Sequence, residues 1–327
     1  MHPRLQSGAS VRPLNFTVRQ PHVSNDIGIC KSLSAALALV PFVGAFSEVR
    51  AACKIEQIAE FRVERVAGSP IIEGQVNGQP IRMMLDTGSD ISYLTLAAAH
   101  QLKLPVHQHR PTTMYGVEAA NVNELRIGQL LLVGQSLNVV GDEIHGGNGV
   151  ASYLLGVDFF ERYATEFDLA HGVVRVLRPR DCKLDELAYW TPAFFKVELE
   201  HFSSDFNPRF IVNIKVNGKA QKAKLVSGSA MTYISLYGAE DAGIEPSSPG
   251  VEPAEPSSDG SPNWTARFDS IELGGETIKN ARLHMAGEHF RGHYDIQLGS
   301  DFFQAHRILI IPDQQAVLFT YNGGKVF

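Results

Sequence analysis

The sequence predicts an all-β fold built from two tandem copies of one unit, and two observations carry that expectation. The first is internal repetition. Val76-Asn77-Gly78 returns as Val216-Asn217-Gly218, and Ile91-Ser92-Tyr93-Leu94-Thr95-Leu96 returns as Met231-Thr232-Tyr233-Ile234-Ser235-Leu236, both 140 residues later. Leu155-Gly156-Val157-Asp158-Phe159-Phe160 is echoed by Leu298-Gly299-Ser300-Asp301-Phe302-Phe303, and Cys53-Lys54-Ile55-Glu56-Gln57-Ile58-Ala59 by Cys182-Lys183-Leu184-Asp185-Glu186-Leu187-Ala188. The second observation is the pattern inside each copy, short apolar runs separated by turn residues. The expected spans are a leader over 1–52, a first repeat over 53–181 and a second over 182–327.

Composition fits that reading. The chain has 327 residues, 44% hydrophobic and 20% charged, enough for two ordinary cores. Its net charge of −6, with scattered basic residues, gives no electrostatic footprint for nucleic acid. The histidines are dispersed and the cysteines few, so no metal site and no cofactor is expected. No Gly-rich phosphate loop and no Gly-x-Ser-x-Gly elbow is present.

Along the chain, Lys31 followed by the apolar run Leu33 to Phe46 and then Val49-Arg50-Ala51 has the order of an export signal with a cleavage site. The apolar run is about 14 residues, short of the roughly 20 a spanning helix needs. A periplasmic or secreted protein is therefore expected, with no membrane contact beyond the export signal or a lipid on Cys53. An organellar transit peptide stays open, as does a start further downstream. Removal of the signal would take Cys30 with it and leave Cys53 and Cys182, an even pair that favours one disulfide, with free thiols as the alternative.

Ile71 to Val76, Asn77-Gly78 and Ile81 to Leu85 read as a hairpin about a tight turn, repeated at Val212 to Val216, Asn217-Gly218 and Lys222 to Leu225. A short helix is expected after Thr95, with Thr95 as its N-cap, and another after Gly156, with Asp158 as a helix cap. Glu245 to Asn263 is rich in Pro, Ser, Gly and Glu and reads as a mobile loop (245–263).

The chemistry concentrates at Leu85-Asp86-Thr87-Gly88-Ser89. An apolar strand delivers Asp86, Gly88 allows a turn that a Cβ would obstruct, and Thr87 and Ser89 offer hydroxyls. The triplet alone also fits an Asx-capped turn. In context, with Ile91-Ser92-Tyr93-Leu94 after it and Leu154-Leu155-Gly156 leading to Asp158-Phe159-Phe160 some 70 residues on, the chain resembles the retropepsin-like aspartic peptidases, specifically the exported bacterial members. That resemblance implies two closed β-barrel or sandwich units related by a pseudo-two-fold axis in a pepsin-like bilobal arrangement. It also implies that Asp86 is catalytic, that Thr87 braces the paired halves, that Gly156 lies on a strand threading the active-site loop, and that Tyr115-Gly116 belongs to a flap over a polypeptide substrate.

Such enzymes need two aspartates sharing one proton, one as base on water and the other as donor to the scissile carbonyl. The second copy departs from this pattern. Leu225-Val226-Ser227-Gly228-Ser229 aligns with the aspartate loop, and Val226 stands in the acid's place. Three readings follow. An active endopeptidase would borrow the second aspartate from another chain, as a homodimer through repeat 1. Internal pairing would set Asp86 against Val226 in a peptide-binding pseudoprotease, favoured by tethering. An envelope adaptor would reuse the fold alone. The sequence favours the endopeptidase. Cys53 and Cys182 occupy matching places in the echo, so a bridge between them near the pseudo-two-fold axis is also expected.

Overall fold

The computed structural model describes residues 52–108, 118–141, 150–200, 210–257, 260–286, 290 and 294–327. The leader, with its signal and cleavage residues, and the Tyr115-Gly116 flap both lie outside the described residues.

The first half runs β1 (Lys54–Arg62), β2 (Glu64–Val66), β3 (Ser69–Val76), β4 (Gln79–Leu85), β5 (Tyr93–Thr95), α1 (Leu96–Gln101), β6 (Val106–Gln108), β7 (Glu118–Ile127), β8 (Leu130–Val140), β9 (Tyr153–Leu155), α2 (Val157–Phe160), β10 (Ala164–Asp168) and β11 (Val173–Arg180). The second runs β12 (Phe195–Glu198), β13 (Ile211–Val216), β14 (Lys219–Leu225), β15 (Tyr233–Ser235), α3 (Leu236–Asp241), β16 (Glu252–Ala254), β17 (Asn263–Leu273), β18 (Glu276–Ala286), β19 (Ile296–Leu298), α4 (Ser300–Ala305), β20 (His306–Ile311) and β21 (Ala316–Tyr321).

Both halves close the same ring. In the first, β3-β4-β9-β5-β8-β7 returns to β3 through Gly74↔Ile127 to Val76↔Leu125. In the second, β13-β14-β19-β15-β18-β17 returns to β13 through Lys215↔Glu272 and Val216↔Ile271. A six-strand barrel has room only for its own side chains, and Met83, Leu94 and Leu155 fill one as Phe268, Leu283 and Leu298 fill the other. The Asn-Gly turns have positive φ at both residues, 48° and 78° at Asn77-Gly78 and 48° and 79° at Asn217-Gly218. That is the hairpin turn whose twist matches the flanking strands. Thr95 caps α1 by accepting from the Ala98 amide at 3.1 Å, and Ser235 caps α3 through Gly238 at 3.0 Å.

A third sheet joins the barrels. Its order is β1-β11-β10-β20-β21-β12, with the halves meeting where Thr165 to Phe167 of β10 pair antiparallel with Ile308 to Ile310 of β20. Glu166, fully buried on β10, accepts from Arg175 at 2.6 Å and from Arg307 of β20 at 2.9 Å, and Tyr189 also donates to it. A buried carboxylate needs such partners, and here two of them, Tyr189 and Arg307, come from beyond the first half.

Two expectations change at this point. Cys53 and Cys182 are bonded, but not at a symmetry axis. They extend the β1–β11 ladder, which begins at Lys54↔Arg180. Their echo is therefore no structural match: Lys54–Arg62 is strand, whereas Leu184–Glu186 is a single helical turn. The strand placed in the second half as β1 is in the first is β12, which flanks β21 as β1 flanks β11. The second change concerns 245–263. It contains β16, which pairs with β17 through Glu252↔Thr265, Pro253↔Trp264 and Ala254↔Asn263, in the place that β6 holds beside β7. Its Pro and Glu sit on a sheet edge, where such residues are tolerated.

Candidate active site

Two loops face each other where the barrels meet. In each, a strand end is pinned to a neighbouring strand: the Asp86 amide donates to Leu155 O and the Val226 amide to Leu298 O, both at 2.9 Å. Farther on, the Val157 amide reaches Ser89 O at 2.8 Å and the Ser300 amide Ser229 O at 2.7 Å. Gly156 is required where the loop passes, because a Cβ there would lie 2.6 Å from the Ile91 carbonyl and 2.8 Å from Ser89 O.

Asp158 is not a helix cap. Gly156 occupies the cap position of α2 without a side-chain bond. Asp158 instead accepts from the Ser92 amide at 2.7 Å and the Ser92 hydroxyl at 2.6 Å, and that hydroxyl accepts from the Gly156 amide at 2.9 Å. Thr232, Asp301 and Gly299 repeat the arrangement at 2.8, 2.6 and 2.9 Å. Each loop is thus clamped behind by a half-buried carboxyl, and desolvation pushes the Asp158 carboxyl above its usual range against the pull of Ser92.

The loops grip one another reciprocally. The Thr87 hydroxyl donates to Leu225 O at 2.8 Å and accepts from the Ser227 amide at 2.9 Å. The Ser227 hydroxyl donates to Leu85 O at 2.8 Å and accepts from the Thr87 amide at 3.1 Å. Both side chains are fully buried. Ser227 is therefore no free nucleophile, and Ser229, which donates to Met231 O at 2.9 Å as Ser89 does to Ile91 O at 2.8 Å, is occupied in the same way.

Between the loops sits Asp86. One carboxyl oxygen accepts from the Gly88 amide at 2.8 Å and, across the junction, from the Gly228 amide at 3.3 Å. A Cβ on Gly228 would collide with this carboxyl, and one on Gly88 would collide with Val226. Both glycines are needed for the close approach. Burial raises the Asp86 carboxyl above its ordinary value, opposed in order by Gly88, Lys224, Gly228 and Ser89. Val226, 9% exposed, occupies the position across from it.

Three contacts at this junction were not foreseen. Lys224, nearly buried, donates to Gly88 O at 2.6 Å and to Asp90 Oδ1 at 3.3 Å. The Ser69 hydroxyl donates to Gly228 O at 2.7 Å. Gly68 lies so close to Ala230 that an added Cβ would reach the alanine's Cβ at 2.5 Å. The signal for Lys224 was faint: it stands where the first copy has Met84, but its strand also carries Lys219 and Lys222. Among the described residues no cluster of His, Cys, Asp or Glu could hold a metal ion.

Two closed barrels meeting through paired glycine loops over a shared sheet make this an all-β, two-unit protein of the retropepsin-like fold. The model of the gag-polyprotein putative aspartyl protease family matches residues 72–162, the span from β3 to just beyond α2 that contains Asp86-Thr87-Gly88-Ser89 and Gly156. The match supports aspartic-protease chemistry as the broad class. No curated protein matches the chain significantly.

Proposed function

We propose that this chain works as a single molecule whose cleft binds extended polypeptide around one acid, Asp86, with hydrolysis reduced by at least ~100-fold, the low end of what general acid catalysis contributes. The observation that carries the reading is the reciprocal Thr87–Ser227 grip, which sets Val226 across from Asp86. Val226 can neither hold nor donate a proton, so a water activated by Asp86 would attack a carbonyl that receives none.

Two asymmetric contacts favour pairing within the chain over a homodimer through repeat 1. Asp90 meets Lys224, and Gly68 packs on Ala230. In a pair of first repeats, Met84 would replace the ammonium and Asp90 would take the alanine's place against Gly68, stranding one carboxylate and crowding the other contact. The endopeptidase reading, with a second aspartate from another chain, draws its support from the family match over the first half. Export to a periplasmic or extracellular setting is part of the proposal and rests on the leader and the cysteine pair. An envelope adaptor, the third reading, would be distinguished by lack of peptide binding at the cleft.

Solution mass and a peptide-library assay on the wild type and Asp86→Asn test the proposal. A monomer that binds peptides, with little cleavage at any pH from acid to neutral, is expected. A dimer whose brisk cleavage vanishes in Asp86→Asn would overturn it.

A further inference from the structure

Lys224 lies on β14, one residue before the strand end that leads to Val226, and reaches out of the second half into the first. A lysine this buried is rare unless its ammonium is paired. Its partners among the described residues include the Gly88 carbonyl at 2.6 Å and Asp90 at 3.3 Å, and the ring of Tyr294 lies 5.8 Å from it. Gly88, whose carbonyl Lys224 holds, donates its own amide to the Asp86 carboxyl at 2.8 Å, and the next amide, that of Ser89, donates to the Asp86 main-chain carbonyl at 3.2 Å. The ammonium therefore anchors the glycine whose amide holds the carboxyl, and it lies close enough to act on that carboxyl by its charge.

We propose that Lys224 is a positioning residue for Asp86: it fixes the Gly88–Ser89 peptide and supplies the compensating charge that lets a lone, enclosed carboxyl stand as an anion in the cleft floor. In a two-aspartate site, the partner acid governs how the shared proton is held. Here Val226 removes that control, and the cation beside the loop assumes it. The site so formed presents an acceptor, suited to ligand groups that donate, such as a peptide N–H or a bound water. Among the described residues the charge that acts on Asp86 is Lys224 from β14, with Asp90 of the Asp86 loop as a counter-charge to that ammonium; the second loop offers the Gly228 amide and apolar Val226. The inference rests on the single-chain pairing of the proposed function, but its test requires neither peptide binding nor cleavage.

The test follows the Asp86 carboxyl carbon by NMR across pH in the full chain, assigned through Asp86→Asn. Lys224→Met, which installs the first repeat's own residue, is expected to move the titration of Asp86 to higher pH, and Lys224→Arg to return it toward the wild type. Asp90→Asn frees the ammonium from its counter-charge and is expected to move Asp86 the opposite way, to lower pH. Opposite signs are the signature, because a merely structural role would lower stability in both variants without ordering the two titrations. Should Lys224→Met fail to fold, Asp90→Asn and Lys224→Arg decide. An Asp86 titration unmoved by Asp90→Asn, or moved upward by it, overturns the proposal.

Discussion

The two loops at the barrel junction share nearly everything except the residue between them, an acid in one and a valine in the other. Each ends a central strand, passes a glycine, ties a hydroxyl back to the chain and is held from behind by a carboxyl, Asp158 or Asp301. Thr87 and Ser227 even exchange the same bonds. Yet Asp86 faces Val226, and the neighbouring differences are directional: Met84 against Lys224 and Asp90 against Ala230. The lesson is that scaffold and reactivity separate. What holds the loops in place is the buried hydrogen bonding of the interface, which needs no acid at the tip.

The strongest way to break this contrast is Val226→Asp. The second loop already offers its Gly228 amide to the junction, and Gly88 lacks a Cβ on that side. The variant should gain cleavage by at least ~100-fold while remaining a monomer, read by peptide turnover at acid pH with solution mass. Next comes the disulfide, which spans 129 residues and joins β1 to β11, while the described β12–β21 corner relies on Phe195 against Phe319. Replacing both cysteines by serine should cost roughly 3–5 kcal/mol in denaturant unfolding and speed hydrogen exchange in β1 more than in β12. Ser227→Ala leaves the Leu85 carbonyl and the Thr87 amide without their partner, and Thr87→Ala does the same to Leu225 and Ser227. Each should cost on the order of 3 kcal/mol, and equal costs would show that the grip is balanced.

The smallest effect is one of sign. Asp86 titrates above its unfolded value because burial penalises the charge, so its stabilising contribution is complete below the unfolded pKa and is lost as pH rises through the folded one. Asp86→Asn should therefore gain on the wild type in thermal stability as pH climbs from acid to neutral. A difference independent of pH would refute the assigned cause.

What the residues disclosed in advance was local or repeated. Asn77-Gly78 and Asn217-Gly218 specify their own hairpins, Thr95 its own helix start, and the Asp86 loop its strand and glycine, because those constraints act within a few residues. The shared sheet was not legible, since β10 meets β20 across 141 to 145 residues and nothing in either strand names the other. The cysteine echo misled through likeness of letters at a spacing of 129, where the corresponding barrel strands lie 140 to 143 residues apart. Asp158 fitted a cap by position, but the Ser92 hydroxyl and amide bind it from a distant loop. Lys224 did not stand out beside Lys219 and Lys222 on the same strand, because its partners lie in the opposite half.

The pairing of β10 with β20 has a consequence for biosynthesis. When β10 and β11 have left the ribosome, about 130 further residues must be translated before β20 emerges, which takes on the order of ten seconds. Throughout that interval Thr165 to Phe167 present unpaired backbone, with Phe167 on that strand, to any passing chain. Misassociation between nascent copies, rather than loss of the finished fold, is thus where this architecture is most exposed, and a chaperone that shields the edge of β10 would act at the critical moment.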